Sequence, residues 1–98
     1  LGILETKVGI YRERYPGLAL AWEALAGAPG SCAVLNAANE VAVAAFLDRR
    51  IRFDQIHQVN RATLDAVPPG APDSLEALLA LDARARDDAD RAVKRVAR

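Results

Sequence analysis

Ala33-Val34-Leu35-Asn36-Ala37-Ala38-Asn39-Glu40-Val41-Ala42-Val43-Ala44-Ala45-Phe46-Leu47 is the stretch whose reading decides the fold. Val34, Ala38, Val41 and Ala45 form one apolar stripe, and Leu35, Ala42 and Phe46 a second, at the three- and four-residue steps of a packed helix. The alanines between them let neighbouring helices come close. Asn36, Asn39 and Glu40 interrupt the apolar run on one side, because such steps bring side chains together on a helix. The stretch therefore predicts a core helix carrying a small polar set. Burying any of the three without a partner would cost about 1–3 kcal/mol, so each is expected to hold a definite hydrogen bond.

On the N-terminal side, Ser31 is the expected helix cap, its hydroxyl accepting from first-turn N–H groups. Gly27, Pro29 and Gly30 end an earlier helix over about Pro16 to Leu25, with Leu18, Ala21, Trp22 and Leu25 on one face. Proline suits the first turn, where its missing N–H would be unpaired anyway. Residues 1–14 show neither alternation nor a helical stripe and are read as an extended arm, with a strand option around Ile3 to Val8. Residues 15–98 make up the bundle domain.

On the C-terminal side, Asp48-Arg49-Arg50 closes the central helix, the arginines suiting the negative end of its dipole. After the joint Ile51-Arg52-Phe53, a third helix is predicted from about Phe53 to Val67. Its inward face holds Phe53, Ile56, Asn60, Thr63, Leu64 and Val67, and Asp54 lies near its start. Pro68-Pro69-Gly70-Ala71-Pro72 is a stiff connector. Asp73-Ser74-Leu75-Glu76 reads as a capping box with Asp73 as cap, and Leu75, Leu78 and Leu79 follow as an apolar face. A final helix turns Ala85, Ala89, Ala92, Val93 and Val96 inward; whether it restarts at Asp82 or runs on is open. Asp87 with Arg91 and Asp90 with Lys94 are acid-first pairs four apart, worth about 0.2–0.5 kcal/mol each. Leu35, Val41, Phe46, Phe53, Ile56, Leu64 and Leu79 are the expected large core residues, at about 1.5–3 kcal/mol each when buried.

The 98 residues allow one domain, and 52% apolar content favours a folded one. Thirteen basic and thirteen acidic side chains cancel, so bulk charge draws the chain to neither nucleic acid nor an anionic membrane. No apolar run approaches the roughly 20 residues of a membrane span, and no signal-peptide pattern is seen. Cys32, the single cysteine, has no internal disulfide partner. It is read as a buried, inert thiol in a reducing cytoplasm.

Candidate chemistry is sparse. Asp87, Asp88 and Asp90 lie beside Arg86 and Arg91 as a solvated face; a magnesium site needs convergent oxygens. His57, the only histidine, has no placed partner and reads as a surface or capping residue. Phosphate-cradling glycine loops and nucleophile elbows are absent. Trp22 and Tyr15 read as core and boundary residues.

Tyr15-Pro16-Gly17-Leu18-Ala19-Leu20-Ala21-Trp22-Glu23-Ala24, the central stretch with its Leu35-Asn36-Ala37-Ala38-Asn39-Glu40, and Ile51-Arg52-Phe53-Asp54-Gln55-Ile56 form a specific ordered set. It resembles the C-terminal region of the 1-deoxy-D-xylulose 5-phosphate reductoisomerase family. Ser74-Leu75-Glu76 and Leu81-Asp82-Ala83-Arg84-Ala85-Arg86 resemble the family's closing segment. The likeness covers about Tyr11 to Arg98; nothing is carried onto residues 1–10.

The resemblance implies a parent enzyme that rearranges 1-deoxy-D-xylulose 5-phosphate and reduces the product with NADPH to 2-C-methyl-D-erythritol 4-phosphate, in isoprenoid biosynthesis. It also implies a divalent metal, magnesium or manganese, and a cytoplasmic homodimer. The nucleotide- and metal-binding domains of that family precede this segment, so no catalytic, cofactor or metal residue transfers here. The expectation is an all-α four-helix-type bundle that buttresses the parent's catalytic domain, is inactive alone, and uses Asn36, Asn39 and Glu40 as structural contacts. Detached, it is expected to self-associate. The alternative is a free-standing helical protein-interaction module.

Overall fold

The computed structural model describes residues 16–97, with side chains from residue 19 onward. The arm, its strand option, Tyr15 and the boundary at residue 14 lie outside the described residues. Four helices follow in order: α1 (Pro16–Ala26), α2 (Ser31–Leu47), α3 (Gln55–Ala66) and α4 (Leu75–Val96). The expected small all-α bundle is what forms. Helix α2 is its axis, in contact with α1, α3 and α4, whereas α1 touches only α2 and α3. The last helix runs unbroken through Asp82.

Alanine and valine build the centre. Ala38, Ala42 and Ala45 of α2 meet Val59 of α3 and Ala89, Ala92 and Val93 of α4, closed by Ile51. A second cluster joins Val34, Ala37, Val67 and Ala85. Small side chains let helix axes approach to the short end of the usual range of about 8–10 Å. Long side chains then fit only at the margins. Of the expected large core residues, Val41, Phe46, Ile56 and Leu64 pack at the edges of these clusters, and Leu35 is half-buried. Phe53 and Leu79 are corrections: they are 74% and 59% exposed. Phe53 precedes α3 and sets its ring edge-to-face on Phe46, with centroids 5.6 Å apart.

Helix orientation differs from expectation in α1 and early α4. Helix α1 buries Leu20 and Ala24, while Trp22 and Leu25 point outward. Leu75 and Leu78 are likewise exposed. On α3, Asn60, Thr63 and Val67 are buried as expected, and Gln55 and Val59 join them. Gln55 ties the bundle's end together. Its Nε2 donates to the Val96 carbonyl (2.8 Å) and its Oε1 accepts from the Arg52 N–H (2.7 Å).

Helix ends supply further corrections. Ser31 is the first residue inside α2; Gly30 occupies the cap position, and no side chain caps that end. Asp54 precedes α3 without a capping bond either. For α4 the cap is Ser74, whose Oγ accepts from the Ala77 N–H at 3.1 Å, one residue later than the expected Asp73. Ser74→Ala is therefore expected to destabilise by about 1 kcal/mol, and Asp73→Ala by much less. Paired thermal melts check the order.

The end of α2 is closed by backbone. The Arg49 N–H donates to the Phe46 carbonyl (3.0 Å) and the Arg50 N–H to the Ala45 carbonyl (2.9 Å). This is the paired pattern that normally places glycine in the left-handed position. Here Arg49 holds it, at φ 60°. A side chain there costs about 1–2 kcal/mol, so Arg49→Gly is expected to raise the melting temperature by several degrees. A scanning calorimetry trace decides it.

Candidate functional site

Asn36, Asn39 and Glu40 are all exposed on α2, so the burial penalty does not bear on them. They serve different neighbours. Asn39 Oδ1 accepts from Asn60 Nδ2 of α3 at 3.1 Å. Glu40 accepts from Arg86 of α4 at 2.6 Å, and Arg86 also binds Asp82 one turn back at 2.8 Å. The hydrogen bonds from Asp82 and then Glu40 hold the Arg86 guanidinium above its ordinary pKa, so the cation persists wherever the fold does. Each exposed pair contributes at most about 1 kcal/mol. Asn36 has no side-chain partner among the described residues and faces a groove.

That groove, of about 600 Å³, opens between three helices. Leu25 of α1, Leu35 of α2 and Ile56 of α3 give it apolar walls, and Asn36, Asn39, His57 and Asn60 line it with polar groups. Cys32 also lines it, and its exposure corrects the expectation of a buried thiol. Beside the groove, Arg61 bridges helices: it binds Glu23 of α1 at 2.5 Å and Asp65 one turn on at 2.7 Å. Those two carboxylates, Asp65 foremost, raise its pKa.

Asn60 is the unusual group. It is 5% exposed, and its Oδ1 is buried with no hydrogen-bond partner among the described residues. Buried acceptors are nearly always paired. The sequence placed Asn60 on the inward face of its helix, but its pairing with Asn39 required knowing how α2 and α3 pack.

The acidic residues near the C-terminus do not converge. Asp88 takes Arg91 at 2.6 Å, in place of the expected Asp87–Arg91 pair, and no Asp90–Lys94 ion pair forms among the described residues. Asp87 and Asp90 are exposed. Among the described residues no three His, Cys, Asp or Glu side chains group as metal ligands. No described helix is long and apolar enough to cross a membrane.

The ordered motifs of α1, α2 and the α2–α3 joint have their counterpart among known proteins. The model of the DXP reductoisomerase C-terminal domain matches residues 9–88. The chain belongs to that family. The match reaches two residues further upstream than the resemblance read from sequence and stops before the last two turns of α4. Curated relatives match about three-quarters of this chain. The 1-deoxy-D-xylulose 5-phosphate reductoisomerase of Burkholderia multivorans is 58% identical over 73 residues, covering 74% of this chain and 18% of its own. That of Cellvibrio japonicus is 49% identical over 74 residues, 76% of this chain and 19% of its own. The Ralstonia nicotianae enzyme is 53% identical over 77 residues, 79% and 20%. The chain thus spans about a fifth of the length of the curated relatives it matches.

Proposed function

We propose that this chain is the C-terminal structural domain of a 1-deoxy-D-xylulose 5-phosphate reductoisomerase and that it buttresses the catalytic domain. The observation that carries this reading is the family match over residues 9–88, shared with enzymes about four times as long as this chain. The parent rearranges 1-deoxy-D-xylulose 5-phosphate and reduces it with NADPH to 2-C-methyl-D-erythritol 4-phosphate. It uses magnesium or manganese and works as a cytoplasmic homodimer. Substrate, NADPH and metal sites belong to the other four-fifths of that enzyme; this domain supplies no reacting group.

The first test is the mass of the native polypeptide in its source cells, read with an antibody to this domain. A band several-fold heavier than 10.5 kDa is expected; a band at that mass would overturn the reading in favour of a separate interaction module. Purified alone with substrate, NADPH and magnesium, the chain should oxidise no NADPH, and turnover would refute the structural role. Trp22, Leu25, Leu47, Phe53, Leu75 and Leu79 are each more than half exposed. The detached domain is therefore expected to self-associate, visible as a concentration-dependent sedimentation coefficient. A strict monomer at all concentrations would count against it.

A further inference from the structure

Neither hydrophobic cluster of the bundle holds a residue of α1. The larger is built from α2, α3, α4 and Ile51, and the smaller from α2, α4 and Val67 with Leu64 of α3 at its edge. Helix α1 lies against α2 and α3 and does not reach α4. It buries Leu20 and Ala24, while Trp22 and Leu25 stay more than half exposed. Among the described residues one hydrogen bond joins it to the other helices, donated by Arg61 to Glu23. That ion pair is exposed at both ends, so it adds little.

The other three helices are tied to one another by more than packing. Asn60 of α3 donates to Asn39 of α2, Arg86 of α4 donates to Glu40 of α2, and Gln55 of α3 donates to the Val96 carbonyl of α4. Gly30 belongs to this core as well, since its N–H donates to the Gly70 carbonyl. Residues 27–29 are then the short link between α1 and the core, and such links absorb the backbone rotations of a hinge. Opening free energies within one protein follow the local density of buried apolar contact, and α1 has the least.

We infer that α1 is a clasp that opens and closes about residues 27–29 on a three-helix core, α2–α4, which keeps its fold without it. Opening bares the side of α2 and α3 that carries Leu35, Asn39 and Ile56, residues that share a groove with Ala21, Ala24 and Leu25 of α1. The clasp is a property of this chain's own fold and stands apart from the buttressing role.

Hydrogen exchange read by mass spectrometry on the whole chain tests it. Amides of α1 are expected to exchange at least about a hundredfold faster than those of residues 34–45 in α2 and 85–93 in α4, with similar protection along α1. Trp22, the only tryptophan, gives a second reading from α1 alone. In a urea titration its emission should change before the far-ultraviolet circular dichroism of the core is lost, whereas a single cooperative unit gives coincident transitions. Leu20→Asp places a charge at the buried anchor of α1 and should hold the clasp open. In that variant α1 is expected to lose its protection while α2–α4 keep theirs.

Equal protection in all four helices, with coincident transitions, would overturn the inference, whether α1 is integral to the core or braced on it by residues 1–15. Loss of protection in α2–α4 of Leu20→Asp would overturn it too, by showing that the core does not stand without α1.

Discussion

Gly30→Ala is expected to lower the melting temperature of this domain by about 10–20 °C, through a packing collision. Gly30 is buried at the start of α2, where its N–H donates to the Gly70 carbonyl at 3.0 Å. A Cβ built on Gly30 runs into the Pro69 carbonyl oxygen and comes within 2.8 Å of both the Pro69 carbonyl carbon and Leu81 Cδ2. Leu81 could turn aside, but the Pro69 backbone is braced by its proline-rich neighbours. The connector would have to lift away from α2, giving up the Gly30–Gly70 hydrogen bond. Overpacking of this kind costs about 1–3 kcal/mol, and each kcal/mol moves the melting temperature of a domain this size by about 4–8 °C. Gly70→Ala is the matching control. Its residue has φ 56° with open space around the added methyl, so only the left-handed backbone cost of about 1–2 kcal/mol applies. A Gly30→Ala variant that melts within a few degrees of the unsubstituted domain would reject the collision.

Ala38→Asp is expected to abolish folding. Ala38 is wholly inaccessible at the centre of the larger cluster, among Ala42, Val59, Ala89 and Val93. The side chains packed around it are apolar, so an aspartate would be a buried charge in apolar surroundings. Uncompensated buried charges destabilise by about 3–5 kcal/mol, and the added volume costs more. Total stabilities of small domains are about 5–15 kcal/mol, and this domain sits at the lower end because of its size. The expected far-ultraviolet circular dichroism is that of a largely unfolded chain at 25 °C. Val41→Asp is the contrast. Both positions lie on the same sequence-read stripe, but Val41 is only half-buried at the cluster's edge, where a carboxylate keeps part of its hydration. That variant should fold with a lowered melting temperature. Equal damage at the two positions would show that the stripe, not the observed burial, sets the cost.

Two positions on one stripe with unequal burial mark where sequence reading stopped. Helix α2 is apolar on almost every side, so its periodicity says that it is central but not which side meets which partner. Large residues were expected inside because burying them stabilises most. Close helix approach reversed that choice, giving the interior to Ala37, Ala38, Ala42, Ala85 and Ala89 and leaving Phe53 and Leu79 outside. The same ambiguity misplaced Trp22 and Leu25 on α1.

By itself, the sequence determined the first three helices and a helical closing stretch, their order, the breaks at Gly27–Gly30 and Pro68–Pro72, and family membership; that the closing stretch is one helix through Asp82 came from the structure. Those depend on local spacing, on proline and glycine chemistry, and on an ordered string of residues, all of which are written along one chain. Tertiary structure alone decided the alanine seam, the pairing of Asn39 with Asn60 and of Glu40 with Arg86, and the approach of Pro69 to Gly30. Each joins residues more than 20 positions apart. Such contacts are set by how three helix surfaces fit at once, and no window of sequence contains that information.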